Sequence, residues 1–175
     1  MERSAPRLKR WAWLLAVLAF AALAEERTLE LDDGAVIRYE LLAAASPGSA
    51  AETSRRMLEL LSEGKLDEAA AMSNAPQRRR QMLADYRDTV GEPEFRRVFA
   101  QYASPPNRLV AEVVIGERHL LVWDLADAGH RLAGQYFVRA GDGFLLDDAP
   151  NAERARLQRV LGAYRQGRIK PAVTP

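Results

Sequence analysis

"RLVAEVVIGERHLLVWDLADAGHRLAGQYFVRAGDGFLLDD" runs from Arg108 to Asp148. Four β-compatible runs are separated by Gly116-Glu117, Asp127-Ala128-Gly129 and Gly141-Asp142, all short hairpin loops. Loops this short join antiparallel neighbours, so the stretch predicts a four-stranded meander. A two-residue turn at Gly116-Glu117 pairs Val113 with Leu120 and Ala111 with Val122. A three-residue loop over 127–129 pairs Asp124 with Leu132, Val122 with Gly134 and Leu120 with Tyr136. Side chains alternate along a strand, so one face then carries Leu109, Ala111, Val113, Leu120, Val122, Leu132, Tyr136, Val138 and Leu145. That face is apolar except for Asp124. The opposite face is mixed: Val110, Glu112, Val114, His119, Leu121, Trp123, Leu125, Arg131, Gln135 and Phe137. Helices are expected on the first face. The second is expected to be partly wet, or to meet the N-terminal hairpin or a second copy of the chain through Trp123 and Phe137.

Upstream, the periodicity changes from two to about 3.6. Met57, Leu58 and Leu61 make a helical stripe that Gly64 can end in the left-handed conformation. Leu66, Ala69, Ala70 and Met72 give a second helix its face, and Asn74-Ala75-Pro76 stops it. Pro76 suits the first turn of a third helix reaching about Val90, with Met82, Leu83, Tyr86 and Val90 on one side. After Gly91 a fourth helix places Phe95, Val98, Phe99 and Tyr102 at i, i+3, i+4 and i+7. A last helix, Asn151 to Gln166, repeats that spacing with Leu157, Val160, Leu161 and Tyr164. Asp147, Asp148 and Glu153 near its start and Arg165 and Arg168 near its end suit the helix dipole. Residues 169–175 read as a frayed tail.

At the front, "RTLELDDGAVIRYELL", Arg27 to Leu42, reads as a hairpin turning at Asp33-Gly34. A three-residue loop, Asp32 to Gly34, puts Leu29, Leu31 and Ile37 on one face. Small residues around Pro47-Gly48, from Ala43 to Ala51, read as a linker. Before the hairpin, Trp11 to Ala24 is apolar and follows Arg3, Arg7, Lys9 and Arg10. The run is short of the roughly 20 residues that span a bilayer. Ala22-Leu23-Ala24 satisfies the small-x-small rule, so residues 1–24 read as a secretory signal cut before Glu25. Cutting after Ala21, or keeping the segment as an anchor, are the alternatives. The expected location is the periplasm or the medium, with membrane contact only during export.

Without residues 1–24, the 25 basic and 24 acidic residues become 21 and 23, a formal charge of −2. Near-neutrality argues against a nucleic-acid partner. The absence of cysteine excludes thiol catalysis and cysteine-based zinc sites. About 150 residues suffice for one domain with a core that needs no disulfide staples. No P-loop, G-x-S-x-G or dinucleotide fingerprint occurs, no calcium loop is long enough, and no cofactor or metal is expected.

The stretch "LELLSEGKLDEAAAMSN", Leu58 to Asn74, resembles the helix–Gly–helix opening of NTF2-like and cystatin-like α+β domains. The resemblance covers about Ala51 to Asp148, and the leading hairpin and closing helix depart from it. It implies a sheet curled around a cone-shaped pocket. Some members of that group isomerise or dehydrate small molecules, with a pocket carboxylate as base and a tyrosine as oxyanion donor. By that resemblance Asp124 is the candidate base, and Tyr136, Tyr86 or Tyr102 the candidate hydroxyl.

A carboxylate on an apolar face is costly unless paired or at a pocket mouth, which singles out Asp124 independently. His119 and His130 are the two histidines, with Glu117 or Asp127 as candidate partners, although hairpin ends collect such residues anyway. Arg78-Arg79-Arg80 with Arg87 reads as a solvated helix face, given Asp85 and Asp88 beside it. The leading expectation is an exported, non-catalytic binding or interaction module. Its partner would be a protein or a small apolar ligand, held between helices and sheet near Tyr86, Tyr102, Asp124 and Tyr136. The rival is a cofactor-free isomerase or lyase built on Asp124 and Tyr136. A third reading has the leading hairpin pair with another protein's sheet.

Overall fold

The computed structural model describes residues 24–42, 49–126 and 131–169. Residues 1–23 of the expected signal segment, residues 43–48 of the expected linker, the loop over 127–129, His130 and the tail beyond Ile169 lie outside the described residues. The last linker residues are not linker: Ser49 caps the first helix, and Ala50 and Ala51 are buried at its start.

The molecule is α+β. Its order is β1 (Ala24–Glu30), β2 (Val36–Leu42), α1 (Ala50–Ser62), α2 (Leu66–Ala71), α3 (Pro76–Val90), α4 (Glu92–Tyr102), β3 (Arg108–Ile115), β4 (Arg118–Leu125), β5 (Arg131–Ala140), β6 (Gly143–Leu146) and α5 (Ala152–Arg165). The six strands form one antiparallel sheet in sequence order. The hairpin therefore extends the meander: Glu40 pairs with Val114 and Leu42 with Glu112, so the sheet has six strands where four were expected.

The expected register holds through most of the sheet. Leu29 faces Ile37, Val113 faces Leu120, Ala111 faces Val122, Leu120 faces Tyr136 and Asp124 faces Leu132. One step differs. Leu109 faces Trp123 while Ala111 faces Val122, so Val110 is the extra residue of a β-bulge. A one-residue insertion turns the preceding side chains over. Val110 accordingly packs with the core that contains Ala111, and Leu109 packs with the core on the other side, the reverse of the expected assignment.

The helices also sit differently from expectation. The apolar face of Ala111, Val113, Leu120 and Val122 is covered by α5 through Leu157, Val160, Leu161 and Tyr164. Leu29, Ile37, Tyr39 and Leu41 of the hairpin share that core, and so does Ile169, just beyond α5. The face read as mixed is covered by α1–α4, with Met57, Leu61, Leu66, Leu83 and Phe95 packed on Leu121, Phe137, Phe144 and Leu146. The sheet is thus the middle layer of three. Phe137, expected at an outer interface, is 0% exposed beneath the helices, and Trp123 is half-buried beside it. Alternation alone reads one apolar face as the covered one; Leu121, Phe137, Phe144 and Leu146 suffice to bind a second layer.

Local chemistry accounts for the helix ends. Gly64 adopts φ 79°, which lets its own N–H reach the Leu61 carbonyl (3.1 Å) and the Lys65 N–H reach Leu60 (2.8 Å). That closes α1 in a Schellman motif. Ser49 caps the N-terminus of α1 by accepting from the Glu52 N–H (3.4 Å), and Asn151 caps α5 by accepting from the Arg154 N–H (2.8 Å).

Candidate binding groove

β5 has ten residues and β6 has four. The mismatch leaves the first half of β5 without a strand partner on its outer side among the described residues. β6 pairs from Phe137 to Ala140, the Asp147 N–H bonds the Tyr136 carbonyl (2.8 Å), and the chain then leaves the ladder. Its departure is held by a polar knot. The Asn74 side-chain carbonyl accepts from the N–H groups of Asp148 (2.8 Å) and Ala149 (3.2 Å). Asp147, 1% exposed, accepts from Asn74 Nδ2 (2.7 Å), Arg118 Nε (3.1 Å) and Asn151 Nδ2 (3.2 Å). Asp148 accepts from Ser73 (2.6 Å) and from both Nε (2.8 Å) and an η-nitrogen of Arg79. Arg118 also pairs with Glu153 at the start of α5. A buried carboxylate needs this number of donors to offset its lost hydration.

Where the strand lies open, a groove of about 710 Å³ runs along it. Residues 131–136 of β5 all line the groove, as expected for an edge seen from both faces of the sheet. One wall is apolar: Met57, Leu58 and Leu61 from α1, Met82, Leu83 and Tyr86 from α3, Phe99 and Tyr102 from α4. Met82 is 48% exposed, Tyr86 37% and Tyr102 39%. A ring ladder stiffens this wall, with centroids 5.9 Å apart for Tyr86–Phe95, 4.8 Å for Phe95–Phe99 and 6.3 Å for Phe99–Tyr102. The opposite wall is α5, through Arg154 and Arg165. The Arg154 guanidinium lies 5.2 Å from the Tyr136 ring centroid, and Arg165 Nε donates to the Leu132 carbonyl (3.0 Å). Trp123 and Leu125 complete the floor. The Gln135 side-chain carbonyl ties that floor to α1, accepting from Trp123 Nε1 (2.8 Å) and Ser54 Oγ (2.6 Å).

Of the residues singled out from the sequence, Tyr86, Tyr102 and Tyr136 lie on the groove, and Asp124 does not. Asp124 sits at the end of β4 with its carboxylate 2.9 Å from the Arg108 guanidinium across the strand pair. The cost of a carboxylate at this position is met by that pairing. Burial raises the pKa of the Tyr136 hydroxyl, against the smaller opposing fields of Arg154 and Arg165. A tyrosine so placed stays protonated.

No protein-family model, curated protein or solved structure matches the chain.

His119 has a carboxylate partner, and it is Glu112, not Glu117; Asp127 and His130 lie outside the described residues. Nδ1 of His119 and Oε1 of Glu112 are 2.7 Å apart, with both side chains almost fully buried. The Phe144 ring, 4.5 Å away, packs edge-on against the imidazole. Neither member of the pair lines the groove. Strand register was the signal that sequence reading left unused: Glu112 and His119 share a face on paired strands, and Val114, the next residue on that face, stands directly opposite His119. The arginine triplet divides. Arg79 is drawn inward to Asp148, while Arg80 pairs at the surface with Asp67. Among the described residues no group of three or more His, Cys, Asp or Glu is arranged to hold a metal ion, and no helix is long and apolar enough to cross a membrane.

Proposed function

We propose that this chain is an exported, non-catalytic binding module whose ligand occupies the groove beside β5. The carrying observation is the groove itself: about 710 Å³ with an apolar wall of partly exposed Met82, Tyr86 and Tyr102 on one side and two arginines on the other. Contiguous apolar surface left open on a domain with two otherwise closed cores marks an interaction site. The α3 stripe supports the same reading. Of Met82, Leu83, Tyr86 and Val90, only Leu83 is buried in the fold, and Met82 and Tyr86 face the groove.

The isomerase reading has less support. Asp124 is engaged by Arg108 and lies off the groove, and the buried Glu112–His119 pair has no access to it. A pocket lined by helices and sheet is in keeping with an NTF2-like relationship, although the closing helix on the far face is an addition to that plan. Export before Glu25 would start the mature chain within β1 and leave the rest of the sheet intact.

Dodecanoate, an apolar chain with an anionic head, is a minimal probe of this chemistry. Calorimetric titration should show saturable binding that Met82→Glu weakens about tenfold or more, since a buried carboxylate on the apolar wall opposes the chain and repels the head. A thermogram without saturable heat, together with unchanged Tyr86 and Tyr102 ring signals, rejects the groove as a binding site for this chemistry.

A further inference from the structure

We propose that the natural occupant is an extended peptide segment that adds as a seventh strand to the open edge of β5, with apolar and acidic side chains in alternation. The proposal rests on the binding reading above and names its ligand class.

The ladder phase determines which main-chain groups face the groove. The Arg139 N–H donates to the Glu117 carbonyl (2.8 Å), so Arg139 bonds toward β4. Bonding partners alternate along an antiparallel strand. Phe137, Gln135 and Ala133 therefore also bond toward β4, and Val138, Tyr136, Gly134 and Leu132 point the other way. Two bonds confirm the phase: Tyr136 accepts from the Asp147 N–H, and the Leu132 carbonyl is the one that Arg165 reaches. Gly134 and Leu132 thus present main-chain groups to the groove at a two-residue spacing of about 7 Å. By this phase the Gly134 N–H and carbonyl point away from β4, and β6, which pairs only with Phe137 to Ala140, does not reach them. An antiparallel strand there would lie where a longer β6 would have run.

This pattern favours a peptide over an acyl chain. A lipid tail covering the edge would desolvate the Gly134 groups without replacing their bonds, which is costly. A strand replaces them in kind and gains affinity through its own main chain. The walls then set the sequence. Alternate side chains of the added strand point to opposite faces of the sheet. One set meets Met82, Tyr102 and Trp123; the other meets α5. There, Arg154 and Arg165 have no carboxylate partner among the described residues, and Arg154 Nε is buried without a hydrogen bond. Acidic side chains complement that wall, and a carboxylate can draw Arg165 off the Leu132 carbonyl as the strand docks.

An octapeptide display library selected on the full-length chain tests this. Enriched sequences should alternate apolar and acidic residues, and their binding should be lost in Met82→Glu. The best of them, made with N-methyl groups at alternate amides in either phase, should bind about tenfold more weakly in the phase that blocks the edge bonds. The unmodified peptide should slow hydrogen exchange of the Gly134 amide by tenfold or more, and Arg165→Gln should weaken it severalfold. Equal binding of both N-methyl phases, or unprotected Gly134, overturns strand addition. A library that yields no Met82-sensitive binder while dodecanoate still binds overturns the peptide class and leaves the groove as a site for small amphiphiles. If dodecanoate fails as well, the binding reading falls with it.

Discussion

β1 and the first half of β5 each leave a row of main-chain groups outside the ladder, and they are finished in opposite ways. β1 carries Glu25, Glu26, Arg27 and Glu30 in seven residues, and its outward face is polar. Charges of this kind discourage another strand from pairing. The open part of β5 reads Arg131-Leu132-Ala133-Gly134-Gln135, is recessed between two helical layers, and has one charged residue at its end. One edge is protected by charge and the other by depth. Charge excludes strands in general, whereas depth excludes all but a segment that fits the walls, and this is why the groove and not the hairpin is the place to look for a partner. The hairpin has a second reason to stay where it is: Leu29, Ile37, Tyr39 and Leu41 are core residues beneath α5.

The largest effect is expected where the chain is steered off the β5 edge. Asp147→Ala takes a carboxylate acceptor from half-buried Asn74 and Asn151 and leaves Arg118 with Glu153 alone, and should cost about 3 kcal/mol in urea unfolding. A loss below 1 kcal/mol would mean that the polar knot does not hold the groove's end. Next is the backing of the open edge. A Cβ on Gly134 would stand 2.5 Å from Leu161 Cδ2 and 3.0 Å from Leu120 Cδ1, so α5 packs directly on bare backbone there. Gly134→Val should destabilise the fold by about 1–3 kcal/mol through overpacking. The same substitution at Gly143, which has nothing within 4 Å of a built Cβ and no positive φ, meets no such neighbour; equal losses at the two sites would remove the packing argument.

A pH effect sharpens the α5 side. Burial, with Tyr39 adding to it and Arg27 opposing it, pushes the Tyr164 hydroxyl up to about 12. A folded-state pKa above the unfolded one gives stability that is complete below pH 10 and lost as pH rises toward 12. The loss has an upper limit of about 2.7 kcal/mol for two units. Tyr164→Phe should remove that part of the alkaline decline, seen as denaturation midpoints at pH 8 and pH 11 drawing closer together. At pH 8 the variant should be within about 1 kcal/mol of the parent, because the hydroxyl is buried with no hydrogen-bond partner among the described residues. The smallest effect on stability belongs to β1. Glu26→Val with Glu30→Val alters exposed positions and should move the midpoint by no more than about 0.5 kcal/mol. It should nonetheless raise self-association in sedimentation velocity; a doubly substituted chain that stays monomeric would show that charge is not what guards this edge.

Much of this architecture was legible in the residues. Two-residue turns at Gly116-Glu117 and Gly141-Asp142, the three-residue turn at Asp32 to Gly34, the left-handed Gly64 and Pro76 at a helix start are decided within a few residues of chain, and each is found as read. The bulge at Val110 was not legible, because nothing in Leu109-Val110-Ala111 distinguishes a pleat from an inserted residue. Coverage of the sheet was misjudged for a related reason. Hydrophobicity reports that a face is apolar enough to bury, and both faces passed that test once Leu109 had joined Leu121 and Phe137. Of the groove, the aromatic wall was visible as helical spacing, but its opposite wall was not.

By itself, the sequence determined the element types, most of the register and the α+β class, since turn chemistry and period are local properties of the backbone. Tertiary structure decided which layer lies on which face, that Glu112 is the carboxylate beside His119, and that β5 outruns β6 to leave an open edge. Those outcomes depend on residues far apart in the chain meeting in space, and the energies that select among them are sums over contacts that no short segment contains.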